Sequence, residues 1–167
     1  MAHSRIYLVG FMGAGKSTVG RVLAKRLGWK FVDLDREIER VEGQSIAQIF
    51  QAAGETRFRE LEQEHFARIS KRHHMVVALG GGAFLNPVNR DLADSTGSTI
   101  WLKVSFTTVC ARVKMDGSRP KFASREKAEV LFKSREPLYQ LARIHIDADG
   151  RSPMDIADEV IGEVRGQ

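Results

Sequence analysis

Gly10-Phe11-Met12-Gly13-Ala14-Gly15-Lys16-Ser17-Thr18 restricts the fold of this chain more than any other stretch. Its spacing is G-x-x-x-x-G-K-S/T, and it lies between two different hydrophobic patterns. Ile6, Tyr7, Leu8 and Val9 form a continuous apolar run, as a strand buried on both faces requires. Beyond Lys16 the apolar residues Val19, Val22, Leu23 and Leu27 follow helical spacing. A glycine loop between strand and helix turns its N–H groups inward and adds the positive end of the helix dipole, so it cradles an anion. Lys16 supplies a point charge to outer phosphates, and Ser17 offers a hydroxyl to a magnesium ion. The stretch implies a nucleoside triphosphate; what is done with it must come from other residues.

The two patterns alternate along the chain. Strands are expected at 5–9, 30–33, 75–79, 99–104 and 144–147. Helical segments are expected at 16–27, 35–41, 45–53, 55–71, 89–94, 107–114, 125–134 and 153–164, with a helical turn or two from Pro137 through Ala142. Five short apolar strands separated by helices predict a parallel sheet covered on both faces, an α/β fold with ligands beyond the carboxyl ends of the strands. A chain of 167 residues fits one domain over 1–167. The longest apolar runs are too short to span a bilayer, and the N-terminus lacks the long apolar core of a secretory signal.

A single cysteine, Cys110, excludes an intrachain disulfide and a multi-cysteine metal site; it reads as a small buried side chain. These features suit a cytoplasmic protein. The net charge is +5, but the 17 arginines are interleaved with acids, as in Arg36-Glu37-Ile38-Glu39-Arg40. That pattern suits small anionic substrates better than nucleic acid. His65, His73 and His74 have no metal-ligand spacing and read as surface or helix-end residues.

Several residues outside the loop carry chemistry. Asp33 and Asp35 close the second strand, where alternation puts both carboxylates on one side and Leu34 on the other. Asp33 suits the water shell of a metal, and Asp35 a substrate hydroxyl whose proton it would accept. Arg59 has Glu62 three residues on, which fits a surface pair or an arginine held ready for an anion. Gly80-Gly81-Gly82, directly after the apolar run 75–79, suggests something pressed close against backbone. Residues 115–124 read as a mobile flap in which Arg119 would close over a transferring phosphate and exclude water. Arg135 suits a carboxylate or a surface pair, and Arg112 and Arg151 the flanks of a nucleotide base.

Taken in order, the loop, Asp33-Leu34-Asp35, Gly54-Glu55, Phe58-Arg59, Glu62, the triple glycine, Arg119-Pro120 and Arg135-Glu136-Pro137-Leu138-Tyr139 resemble the shikimate kinase family over nearly the whole chain. These are small P-loop kinases related to nucleoside monophosphate kinases. The resemblance implies a three-layer α/β/α fold with strand order 2-3-1-4-5, a substrate-binding helical region at about 34–62 and a mobile lid at about 112–124. It implies phosphorylation of the 3-hydroxyl of shikimate by ATP with Mg2+, by a cytoplasmic monomer that binds neither nucleic acid nor membrane.

By the same resemblance, Gly13, Ala14, Gly15, Lys16, Ser17 and Thr18 bind the nucleotide, joined by Arg112, Arg119 and Arg151. Ser17 and Asp33 serve the metal. Asp35, Arg59, Gly81, Gly82 and Arg135 bind shikimate, and Lys16, Asp35 and Arg119 are catalytic. Lys121-Phe122 stand where the family usually has two leucines. A related kinase acting on another polyhydroxy acid such as gluconate, or an ATP-binding regulatory module without catalysis, are the alternative readings.

Overall fold

Short apolar runs bury both faces only when they pair side by side beneath helices. In the computed structural model, which describes residues 4–113 and 124–166, five of them form one parallel sheet. The strands β1 (Arg5–Val9), β2 (Lys30–Asp33), β3 (Met75–Ala78), β4 (Ser98–Lys103) and β5 (Ile144–Asp147) lie in the order β2-β3-β1-β4-β5. In the register, Tyr7 pairs with Val77 and Thr99, and Leu8 with Ala78 and Ile100. Ile6–Val9 and all of β3 are buried, which is why they read as unbroken apolar runs. At the β5 edge the pattern alternates instead, with Ile144 and Ile146 inside and His145 and Asp147 outside.

Among the described residues seven α-helices complete the layers: α1 (Lys16–Leu27), α2 (Leu34–Glu42), α3 (Ile46–Ile69), α4 (Pro87–Thr96), α5 (Phe106–Arg112), α6 (Arg125–Tyr139) and α7 (Pro153–Arg165). Most start on a side-chain cap. Ser45 and Gln48 form a reciprocal capping box on α3, and Asn86, Ser105, Ser124 and Ser152 each accept an N–H at the start of α4, α5, α6 and α7. α1 differs: it begins on Gly15 with no side-chain cap, so its first N–H groups are left for another acceptor. Gly54, at φ 79° and ψ 174°, breaks α3 into two rods, as the sequence leads one to expect. Among the described residues no helix is long and apolar enough to cross a membrane.

Three expectations change. The helix expected at 125–134 and the turn or two expected through Ala142 form one continuous helix, α6, which ends at Tyr139. Proline removes only its own N–H donor, and the turn re-closes immediately, with Gln140 N bonding Glu136 O at 3.0 Å. Arg135 and Tyr139 therefore share one helical face. His65 is buried rather than superficial, with Nε2 2.8 Å from Glu42 Oε1, which fastens α3 to the end of α2. Cys110 is only partly buried.

Candidate active site

The uncapped end of α1 opens beyond the carboxyl ends of the strands. Gly13 and Gly15 hold φ of 78° and 92°, a left-handed region costly for any side chain, so the loop curls tightly enough to aim its amides inward. Ala14 is buried beneath the loop and Thr18 is exposed at its rim. Lys16 Nζ donates to the carbonyls of Gly10 at 2.7 Å and Phe11 at 3.0 Å, which keeps the ammonium folded over the cradle. Ser17 Oγ donates to Asp33 Oδ2 at 2.5 Å. That pair of hard oxygen donors beside a phosphate cradle fits Mg2+, which takes one or two protein oxygens and completes its shell with phosphate and water. Consistent with this, no cage of three or more His, Cys, Asp or Glu side chains occurs among the described residues.

Asp33 and Asp35 reach one cavity by a different route from strand alternation. β2 ends at Asp33, which caps α2 by accepting from Arg36 N, while Asp35 lies in the first helical turn. Leu34 is fully buried. Both carboxylates line a cavity of about 270 Å³ together with Lys16, Ser17, Gly80 and Gly81. Asp35 Oδ1 is buried there without a hydrogen-bond donor, an acceptor suited to an incoming hydroxyl. Burial, reinforced by the charge of Asp33, pushes the Asp35 carboxyl above its ordinary value; Lys16 and Arg59 partly offset this.

The triple glycine is explained by what touches it. A Cβ on Gly80 would lie 2.6 Å from Asp35 Oδ1, one on Gly81 2.9 Å from Arg135 Nη1, and one on Gly82 2.5 Å from Arg59 Nη2. The loop is bare so that one carboxylate and two guanidinium groups can lie against it. Arg59 and Arg135 also line a second cavity of about 430 Å³ with Gly82. Two cations and one unpaired acceptor, all drawn to one glycine loop, can recognise a small acid that carries a hydroxyl.

Arg59 is held by Glu62 at 2.8 Å and Glu55 at 3.4 Å. Glu62 is only 1% exposed, and burial pushes its carboxyl up to about 7, against the pull of Arg59. The folded chain therefore keeps this proton to about pH 7, whereas the unfolded chain releases it near 4.5. Stability should fall as pH rises through that window, because the native state binds more protons there. Relative to Glu62→Gln, the wild type should lose roughly 1–3 kcal/mol between those limits. Urea unfolding at pH 5 and pH 8 checks this, and parallel pH curves for the two proteins would contradict it.

The remaining arginines divide. Arg112 reaches the phosphate loop, donating to Gly13 O at 3.1 Å. Arg151 ties the end of β5 to α7, bonding Asp147 O at 3.0 Å and pairing with Glu159. Arg119 and most of the expected lid, residues 114–123, lie outside the described residues. Sequence reasoning assigned no role to Phe11, whose ring lies 5.7 Å from the Arg135 guanidinium carbon, or to Tyr139. Tyr139, four residues after Arg135, could have been found by helical spacing had Pro137 not suggested a break.

Comparison with known proteins places this geometry. The chain is 45% identical over 161 residues to a shikimate kinase from Sulfurihydrogenibium sp., covering 96% of this chain and 97% of that one. It is 43% identical to the Persephonella marina enzyme of the same name over 161 residues, covering 96% and 98%. A shikimate kinase from Acinetobacter baumannii, solved in complex with shikimate, superposes with a TM-score of 0.92 at 36% identity, covering 98% and 94%. A sequence profile described as shikimate kinase matches residues 12–165. With its phosphate loop, its glycine-bound carboxylate and its paired guanidinium groups, the chain belongs to the shikimate kinase family.

Proposed function

We propose that this protein transfers the terminal phosphoryl group of ATP to the 3-hydroxyl of shikimate, giving shikimate 3-phosphate and ADP. The observation that carries this reading is the meeting of Asp35, Arg135 and Arg59 on Gly80, Gly81 and Gly82, beside the phosphate cradle. The amides of residues 13–18 and the Lys16 ammonium bind the phosphates. Ser17 and Asp33 would hold Mg2+, which supplies positive charge across the phosphate oxygens.

Arg59 and Arg135 grip the carboxylate of the acid, and Gly81 and Gly82 allow its ring to approach the backbone. The helical region at about 34–62, which spans α2 and the first part of α3, forms the wall of the acceptor pocket. Asp35 accepts a hydrogen bond from the acceptor hydroxyl and takes its proton as the new P–O bond forms and the bond to ADP breaks. Arg119 closes over the transferring group from the lid, and Arg112 and Arg151 lie on the nucleotide side. The enzyme acts as a cytoplasmic monomer on a small molecule, with neither nucleic acid nor membrane as partner.

A coupled ADP-release assay offering shikimate and gluconate separately tests the reading. Turnover of shikimate is expected, and preference for gluconate would overturn it. Arg135→Lys should raise KM for shikimate about tenfold or more, because an ammonium cannot present two parallel N–H groups to a carboxylate. An unchanged KM would remove Arg135 from the clamp.

A further inference from the structure

The two arginines at the glycine loop are held in unlike ways. Arg59 has two carboxylate partners, Glu62 and Glu55. Arg135 is 6% exposed, yet among the described residues no carboxylate forms an ion pair with it, and its Nε is buried without a partner. What packs against Arg135 is neutral, the Phe11 ring and the Gly81 backbone, and the Glu62 carboxylate acts on it only through space. Tyr139 is 1% exposed and sits one helical turn beyond Arg135 on the same face of α6. Its hydroxyl donates to Gly81 O at 2.5 Å, and a Cβ on Gly81 would meet both Arg135 Nη1 at 2.9 Å and the Tyr139 hydroxyl oxygen at 3.6 Å.

We propose that Tyr139 is a positioning residue for recognition of the acid: its hydroxyl fixes the Gly81 peptide against which the Arg135 guanidinium lies, and so aims that group without neutralising it. A carboxylate in the same place would orient Arg135 equally well but would compete with the substrate for its charge. A neutral hydroxyl leaves that charge to be spent on the ligand. Burial pushes the Tyr139 hydroxyl up to about 12, so it stays protonated and donates to Gly81 O over the whole working range of pH.

This inference rests on shikimate as the acceptor, and steady-state kinetics with that acid separates the two ideas. Tyr139→Phe should raise KM for shikimate about tenfold, the effect of one lost buried hydrogen bond, with kcat within about threefold and KM for ATP unchanged. A double variant with Arg135→Lys should bind shikimate no worse than Arg135→Lys alone, since the hydroxyl acts through the fork that lysine lacks. Tyr139→4-fluorophenylalanine, a closer match in volume without a donor, gives the same test should the Phe variant not fold.

Unchanged KM for shikimate, additive losses in the double variant, or a parallel fall of kcat and both affinities would each overturn the role. A merely structural tyrosine gives the last pattern. If the unmodified enzyme did not phosphorylate shikimate at all, the functional reading itself would fail first.

Discussion

Lys16→Met should lower kcat by about a thousandfold or more while leaving the protein folded. A unit charge about 4 Å from a phosphate oxygen, at the effective dielectric of a partly exposed site, is worth roughly 4 kcal/mol, or close to three orders of magnitude in rate. Methionine keeps the unbranched length and loses the charge. Stability should fall by no more than about 1–3 kcal/mol, because what is lost is a partly exposed ammonium bonded to the Gly10 and Phe11 carbonyls. Kinetics with ATP and shikimate, alongside circular dichroism to establish folding, makes the measurement. A kcat near the wild-type value would contradict the role.

Asp35→Asn should lower kcat by about 10²–10⁴-fold, the range for loss of a positioned general base, with KM for ATP within about threefold. Asparagine matches aspartate in size, so it keeps the close approach to Gly80. It retains an acceptor oxygen but can neither carry the charge nor take the proton. The pH profile gives a second readout. The carboxyl is held above its ordinary 3.8, chiefly by burial, and only its ionised form can accept a proton. The wild-type kcat/KM should therefore fall on the acid side with an inflection above that value, and the Asn variant should lose that limb. Equal losses in kcat and in affinity for ATP would instead make Asp35 a structural residue.

The effect of Asp35 illustrates how far a linear reading reaches. The sequence places two carboxylates at the end of a strand, and both line the cavity with Lys16. The reason is not strand alternation, because β2 stops at Asp33 and the next turn is helical. Asp33 ends the strand by satisfying the Arg36 N–H, and the helix then returns Asp35 to the same side. A two-residue spacing is compatible with either geometry, so it yields the right neighbours by the wrong path.

The triple glycine is similar. Its composition announces close approach, but only the fold identifies Asp35, Arg135 and Arg59, drawn from three separate helices, as the approaching groups. Pro137 misleads in the opposite direction. It suggests a break, and the continuous helix beyond it is what sets Tyr139 beside Arg135. The buried His65–Glu42 pair also escapes a reading in which histidine counts as a surface residue.

Local physics carried in the order of residues decides the phosphate loop, the strands and most helix starts. Glycine conformation, apolar period and side-chain caps act over a few positions, and all are visible in the letters. Which arginine holds a partner, which stays available for a ligand, and which carboxylate keeps its proton depend on burial and on groups far apart in the chain. Glu62 ionises near pH 7 only because the folded chain removes water around it, and Arg135 forms no ion pair because what packs against it, the Phe11 ring and the Gly81 backbone, is neutral. Desolvation and long-range contact exist only once the layers have closed, so those properties belong to the tertiary structure alone.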